Sequence, residues 1–394
     1  MDSWLLRPAR SQMQLVVCLL VFVLHAVGNV QEAVCPDNDY GWICAIEGGL
    51  ENQTYLLAAK VYWIDRQYQL PRGTHLRGQG PGRTFILATG TPSIYGCGAN
   101  ARNRIGLIAG DSTYIGGFTF RGIETRRYMD GEEGLCGGGA IETPGCTDAF
   151  CNDAHSTGRT GGVGVSDVLV ENVAIATHEG RPTVQVNFWM PSTRGRACRN
   201  VTVRNLSSNG SWADGLNIHG SHTDIVIENC TVGNSGDDAF AMWSNSGVKM
   251  ARVTFRHNVA FNPTFPWNAT PIPPWGANHV NCFASYGGGG ELRWLGNRCT
   301  PAPQGILPGG KPHQWNDTAV IVFHSNFGSA FDPSTVARIQ GNSFSSFTAA
   351  GETVRSGFPI CTWARGASQQ LPRILAPHDA NCSGAAPVGL NFVV

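Results

Sequence analysis

Two stretches of this sequence hold residues whose types and spacing could do chemistry: "WADGLNIHG" (Trp212–Gly220) and "NSGDDAFAMWS" (Asn234–Ser244). A shift of 24 residues lays Asp214 over Asp238 and Ala213 over Asp237, so Asp237 is an addition to the repeat. Adjacent carboxylates repel, and in a regular strand they point to opposite faces. If the shift is a structural repeat, Asp214 and Asp238 stand about 5 Å apart on neighbouring strands, within like-charge range. Three carboxylates so placed are what cleavage of a glycosidic bond requires: one acid to protonate the leaving oxygen, the others to activate water or to attack. Gly-Asp-Asp is also a good turn sequence and, taken alone, reads as one. Its surroundings favour the chemistry. Trp212 precedes Asp214, while His219 and Trp243 occupy matching places after each aspartate. Sugars stack apolar faces on indole rings, and amides such as Asn217 read their hydroxyls. An interior stack is the competing role for His219, and an asparagine ladder for Asn217.

The elements that must position these residues repeat as well. "NVTVRN" (Asn200–Asn205) recurs as "DIVIEN" (Asp224–Asn229) at the same 24-residue shift. "DVLVENVAIA" (Asp167–Ala176), "KMARVTFRHN" (Lys249–Asn258), "ELRWLGN" (Glu291–Asn297) and "VARIQGNSF" (Val336–Phe344) carry the same alternation. Period-two apolar positions ended by asparagine, with helical spacing hardly sustained anywhere, predict short strands. A repeat of two dozen residues predicts an all-β solenoid, a right-handed parallel β-helix with loop insertions. An antiparallel sandwich also has short alternating strands but predicts no common register. Asparagine tolerates the left-handed backbone of tight corners and can ladder with its copy in the next coil.

The expected organisation is an export signal over 1–28 and one β-helix domain over 29–394. Arg7 and Arg10 precede the apolar run "MQLVVCLLVFVLHAV", with Ala26 and Gly28 as small residues for cleavage. "YWIDRQYQLPRGTHLRGQGPGRTFIL" (Tyr62–Leu87) reads as two strands around turns, in the manner of the opening coil of pectinase-type β-helices. A Cys-rich loop over 131–162 and Pro/Trp-rich segments over 262–278 and 300–315 interrupt the coils, and ordered loops of this kind tend to wall a site. Lys+Arg and Asp+Glu both number 28, so no basic excess exists to meet nucleic acid or an acidic membrane. Cleavage of the signal removes Cys18 and leaves twelve of the 13 cysteines, an even number that suggests disulfides in an exported chain. Eight N-x-S/T sequons, at Asn52, Asn200, Asn205, Asn209, Asn229, Asn268, Asn316 and Asn381, favour the same route. The expectation is a secreted, glycosylated monomer, off the membrane once the signal is removed. No cofactor and no metal is expected at the aspartates. A structural Ca2+ would suit oxygen-rich text such as "CTDAFCNDAH" (Cys146–His155), which lacks calcium-loop spacing.

The pair "WADGLNIHG … VGNSGDDAFAMWS" resembles the catalytic coils of glycoside hydrolase family 87, the α-1,3-glucanases or mutanases. Those carry a similar "ADG(I/L)N(L/F)H" followed by "NTGDDGLAMW". The clear likeness runs from Trp212 to Ser244, under a tenth of the chain, with a diffuse β-helix likeness beyond it. It implies that Asp214, Asp237 and Asp238 are the catalytic carboxylates of an inverting endo-glycanase acting on α-1,3-glucan. Ala239 stands where that family usually has glycine, Phe240 where it has leucine and Ser235 where it has threonine. More distantly the pattern is similar to family 28 polygalacturonases and family 49 dextranases.

A polygalacturonase is the rival enzyme, but it places cations near its aspartates in a Gly-His-Gly coil and an Arg-x-Lys strand. The nearest text here, "ARIQ" (Ala337–Gln340), has Gln340 in the lysine place. A lyase would need a basic cluster that the sequence does not offer. A non-catalytic glycan-binding or wall protein, with aspartates that cap coils, is the rival from another class. On the hydrolase reading, Asp237 is the general acid, and Asp214 and Asp238 share a water, with the three residues open to permutation in role.

Overall fold

A computed structural model describes residues 39–89, 105–122, 139–146, 156–157, 163–180, 182–193, 195–244, 250–261, 281–300, 321–325, 331–344, 346–347, 353–354, 360–364 and 373–375. Two long parallel sheets run through it. Each turn of the chain adds one or two strands to the first sheet and one to the second, in sequence order. In the first, Ser166–Ile175, Arg199–Ser208, Thr223–Glu228, Ala251–Arg256 and Gly289–Leu295 follow one another. In the second, Gly139–Glu142, Val186–Met190, Leu216–Gly220, Phe240–Ser244, Phe283–Tyr286 and Ile321–Ser325 do the same. This is a parallel β-helix, wound in the right-handed sense that parallel crossovers take.

Alternation makes the core. Leu216 and Ile218 point inward while Asn217 and His219 stay half-buried outside. Equal positions on successive coils therefore stack like on like: Phe188, Leu216, Phe240, Phe283 and Ile321 form one interior column. Its rings Phe240 and Phe283 lie 5.0 Å apart at 11°. Each such side chain contributes about 1.5–3 kcal/mol by leaving water.

The corners explain the asparagines. A left-handed residue opens the first-sheet strand in each coil, at Asp167 (φ 61), Asn200 (φ 53), Asp224 (φ 60) and Arg252 (φ 54). Another interrupts the longer strands at Asn172 (φ 52) and Asn205 (φ 53) and follows the shorter ones at Asn229 (φ 52), His257 (φ 55), Gly296 (φ 61) and Gly341 (φ 66). Asn and Asp enter this region at least cost after glycine, because their short polar side chains bond locally. Asn200 Nδ2 donates to Asp167 Oδ1 at 2.6 Å and Asn205 Nδ2 to Asn172 Oδ1 at 3.1 Å. One residue further on, the column becomes a buried ladder. Asn258 Nδ2 donates to Asn297 Oδ1 at 3.0 Å, and Asn297 Nδ2 to Asn342 Oδ1 at 2.9 Å.

Sequence expectation and structure differ in four places. The chain forms a helix over Gly41–Glu47, short enough to escape a periodicity reading, which buries Ile43 and Ile46. The opening stretch makes four strands, Val61–Ile64, Gln67–Gln69, His75–Arg77 and Phe85–Ala88, because its turns bend the chain between the sheets. The expected Cys-rich loop contains Gly139–Glu142, a fully buried strand of the second sheet too short and glycine-rich to show alternation. Cys282 and Cys299 form a disulfide and Cys44 is disulfide-bonded, whereas Cys198 and Cys230 are free thiols in the core, used as small apolar residues. The signal segment and the segments 262–278 and 301–315 lie outside the described residues, as do Asn268, Asn316 and Asn381 and most of "CTDAFCNDAH". Among the described residues no helix is long and apolar enough to cross a membrane.

Candidate active site

The two motifs are the turns that deliver the chain into Leu216–Gly220 and Phe240–Ser244, and they lie directly on one another. Ser211 bridges Ser235, Gly236 N–H donates to Ser211 O at 2.9 Å, and Gly215 N–H donates to Asp238 O at 2.9 Å. The strands continue with Leu216 opposite Phe240 and His219 opposite Trp243, so the 24-residue shift is the register of this coil. Neither glycine could carry a side chain. A Cβ on Gly215 would stand 2.4 Å from Ala239 O, and one on Gly236 2.4 Å from Trp212 O. This contact places Asp214 and Asp238 one coil apart.

The turn also settles why two aspartates stand together. Asp238 N–H donates to Asp237 Oδ1 at 3.1 Å, so Asp237 closes the turn around its own neighbour. The backbone is not extended there, and both carboxylates reach the same place. One oxygen from each of Asp214, Asp237 and Asp238 lies within 4.8 Å of the others. Turn-making and clustering are both present in the same residue.

The three are held differently. Asn217 Nδ2 donates to Asp214 Oδ2. Asp238, 2% exposed, is pinned on both oxygens: Oδ1 accepts from Asn281 N–H at 2.8 Å and Asn281 Nδ2 at 2.7 Å, and Oδ2 accepts from Tyr286 O–H at 2.8 Å. Burial first, then the charges of Asp237 and Asp214, push Asp238 well above the usual carboxylate range, against the pull of the Tyr286 and Asn281 donors. Tyr286 is itself driven well above a normal phenol by burial and by the same carboxylates, so it is a standing donor. Three donors thus converge on the Asp238 carboxyl.

Beside the turns runs a row of rings. His219, Trp243 and Tyr286 share a register position on successive strands of the second sheet, and the backbone of His324 continues it. His219 and Trp243 stack with centroids 5.2 Å apart at 30°, and Trp243 and Tyr286 lie 5.3 Å apart at 36°. The faces of Trp243 are thus turned to its two neighbours, and its edge is what it turns outward. Trp212 is 7% exposed in the turn, its indole Nε1 buried. Of the sequence-derived contacts, Asn217 supports Asp214, and His219 and Trp243 form the stack. Asn281 and Tyr286 escape the sequence reading. "NCFASY" (Asn281–Tyr286) repeats "DAFAMW" (Asp238–Trp243), but at a separation of 43 rather than 24.

No family model matches the sequence, and no curated protein matches it. Solved structures are similar in fold. The catalytic domain of a GH87 α-1,3-glucanase in complex with nigerose matches at 14% identity over 84% of this chain and 57% of that chain, TM-score 0.46. The catalytic unit of a GH87 α-1,3-glucanase from Streptomyces thermodiastaticus strain HF3-3 matches at 16% identity over 84% and 49%, TM-score 0.47. The A-module of the Azotobacter vinelandii mannuronan C-5 epimerase AlgE4 matches at 15% identity over 90% and 99%, TM-score 0.39. The chain spans about half the length of the glucanase chains it resembles. These are likenesses of scaffold; the chemistry has to be read from the residues of the site.

Proposed function

We propose that the protein is a secreted glycoside hydrolase that cleaves an α-glucan, with α-1,3-glucan the preferred substrate, by inversion. The observation that carries this is the convergence of Asp214, Asp237 and Asp238, from two turns stacked in register, to within 4.8 Å. The sequence likeness of these turns to the family 87 coils supports the linkage, and the text of the chain lacks the cationic motifs of a uronate-binding coil. The apolar run near the start of the chain supports export. Polysaccharide is the partner, and the enzyme acts as a monomer.

In this mechanism Asp237, half-buried at the corner of its turn, protonates the leaving glycosidic oxygen. Asp214 and Asp238 hold the attacking water from adjacent coils. Asp238 is suited to holding rather than attacking, because both its oxygens already accept hydrogen bonds and almost none of it is exposed.

The test is sugar release from insoluble α-1,3-glucan, with dextran, starch, laminarin and polygalacturonate alongside, by the wild type and Asp237→Asn. Release from α-1,3-glucan alone, abolished by the substitution, is the expected result. Release from another polymer overturns the linkage and keeps the site. Folded protein that binds one polymer and releases nothing makes the aspartates part of a binding coil.

A further inference from the structure

We infer that Tyr286 is a positioning residue of this site: its hydroxyl, held out from a ring tilted against Trp243, fixes the orientation of the buried Asp238 carboxylate. This rests on the hydrolase reading of the three aspartates for its consequence in activity, though not for the geometry itself.

The geometry is unusual in its reach. Asn281, one coil beyond Asp238 at the equivalent place, grips Oδ1 with both its backbone and its side chain. Oδ2 is met from further along the strand, by a residue at the register position of Trp243 rather than of Asp238. To get there the Tyr286 ring must lie along the sheet surface, and the stack of His219 and Trp243 is what it lies against. Asn281 alone would leave the carboxyl free to swing about its Oδ1 contacts. With Tyr286, all the directions of Oδ2 are reduced to those left over by one strong donor. A carboxylate that shares a water with Asp214 needs that restriction, because a lone pair misdirected by a fraction of an ångström no longer faces the water.

The groups that bear on Asp238 come from every side. Asp237 adjoins it on its own turn and Asp214 lies on the preceding turn, both acting to raise its proton affinity. Asn281 and Tyr286 from the following coil act to lower it. His219 stands one ring further off, across Trp243, and His324 follows Tyr286 in register. Phenylalanine at 286 keeps the ring and its stack and removes only the donor.

The experiment uses the full chain labelled with 13C-aspartate, the Asp238 carboxyl signal being assigned by its loss in Asp238→Asn. In Tyr286→Phe the Asp238 titration should move up by about one pH unit, the size of one charge-assisted hydrogen bond. The acid limb of kcat/KM on the polymer should move with it, while KM changes less than twofold. Trp243→Leu, which keeps the hydroxyl and removes its support, should move both the same way by less, and it serves if Tyr286→Phe does not fold. An Asp238 titration unmoved in the folded variants overturns the inference. A moved titration in a protein that cleaves no polymer upholds the positioning and overturns the hydrolase reading instead.

Discussion

Asp238 lies one coil above Asp214 in the same place of the repeat, yet the first is sealed in and the second reaches solvent. The difference lies in the next coil of each. The coil after Asp214 brings Asp238, a second carboxylate, whereas the coil after Asp238 brings Asn281, a donor that closes over it. A repeated position has therefore been given two environments, one carboxylate sealed under donors and one open to solvent.

Asp238→Asn should make the protein more stable at neutral pH, in spite of being at the centre of the site. The native state raises the proton affinity of Asp238, so between the ordinary carboxylate range and its raised value the folded protein binds more protons than the unfolded chain. Stability from this group is full at low pH and is lost as pH rises through the native value. Asparagine can accept from Tyr286 or Asn281 and never ionises. The gain should be near zero at about pH 3–4, where an ordinary unfolded carboxyl titrates, and should grow to about 0.5–2 kcal/mol towards neutrality. Thermal melts of both proteins across that range check it; a difference independent of pH would mean that burial of the charge is not the cause.

For turnover the expectation is reversed. Asp214→Asn and Asp237→Asn should each lower kcat by about 10²–10⁴, the usual worth of a positioned acid or base, with KM and binding to the polymer little changed. Steady-state kinetics together with a pull-down on insoluble glucan separate the two effects. Loss of binding alongside unchanged kcat on a soluble oligosaccharide would assign these aspartates to substrate contact.

Much of this is legible in the chain because the coil from Asp214 to Asp238 has no insertion. Leu216 and Phe240, Asn205 and Asn229, and the two turns all fall 24 apart, and one self-comparison reveals them together. The coils on either side are longer: 33 residues separate Asp167 from Asn200, 28 separate Asp224 from Arg252, and 45 separate Asn297 from Asn342. A fixed shift therefore misses Asn281 and Tyr286, although their text repeats that of Asp238 and Trp243. The ring stack is hidden for a different reason. Sequence shows that His219 and Trp243 are equivalent, but not that equivalence in a β-helix sets one ring against the other, here 5.2 Å apart at 30°. Burial of Asp238 depends on Asn281 arriving from 43 residues away, and local composition carries no sign of it.

Asn297→Ala should destabilise the helix by about 2–4 kcal/mol and leave the site alone. Asn297 donates to Asn342 Oδ1 and to Phe255 O, and it accepts from Asn258 through both Nδ2 and N–H. Alanine removes these bonds and strands the buried polar groups of its neighbours, the costly half of the exchange. The column stands at the corner that follows the first-sheet strands, not in the turns that carry the carboxylates. A denaturant melt with kcat measured well below the transition checks both halves, and an activity loss greater than the loss of folded protein would show that the ladder does reach the site.

The stereochemistry of the product is the sharpest test of how the trio works. Direct attack by a carboxylate, which gives retention, needs an oxygen free to reach the anomeric carbon, and two-carboxylate enzymes of that kind separate their groups by about 5–5.5 Å, against about 6.5–9.5 Å where a water is held between them. Here the nearest oxygens are within 4.8 Å, which by spacing alone would favour attack. The hydrogen bonds argue the other way. Asp238 has both oxygens engaged, Asp214 is held by Asn217, and Asp237 is held by the Asp238 N–H. With three carboxylates the water has no need to sit on the line between the two closest. It can be held by the stacked pair while the third faces the leaving group. The first-formed sugar from an α-linked substrate should accordingly be the β-anomer, seen by proton NMR within the first minutes, before mutarotation. An initial α-anomer would show that one of these anchored carboxylates is released to attack, and Asp214, which reaches solvent and is free of the turn that ties Asp237 to Asp238, would be the one to substitute next.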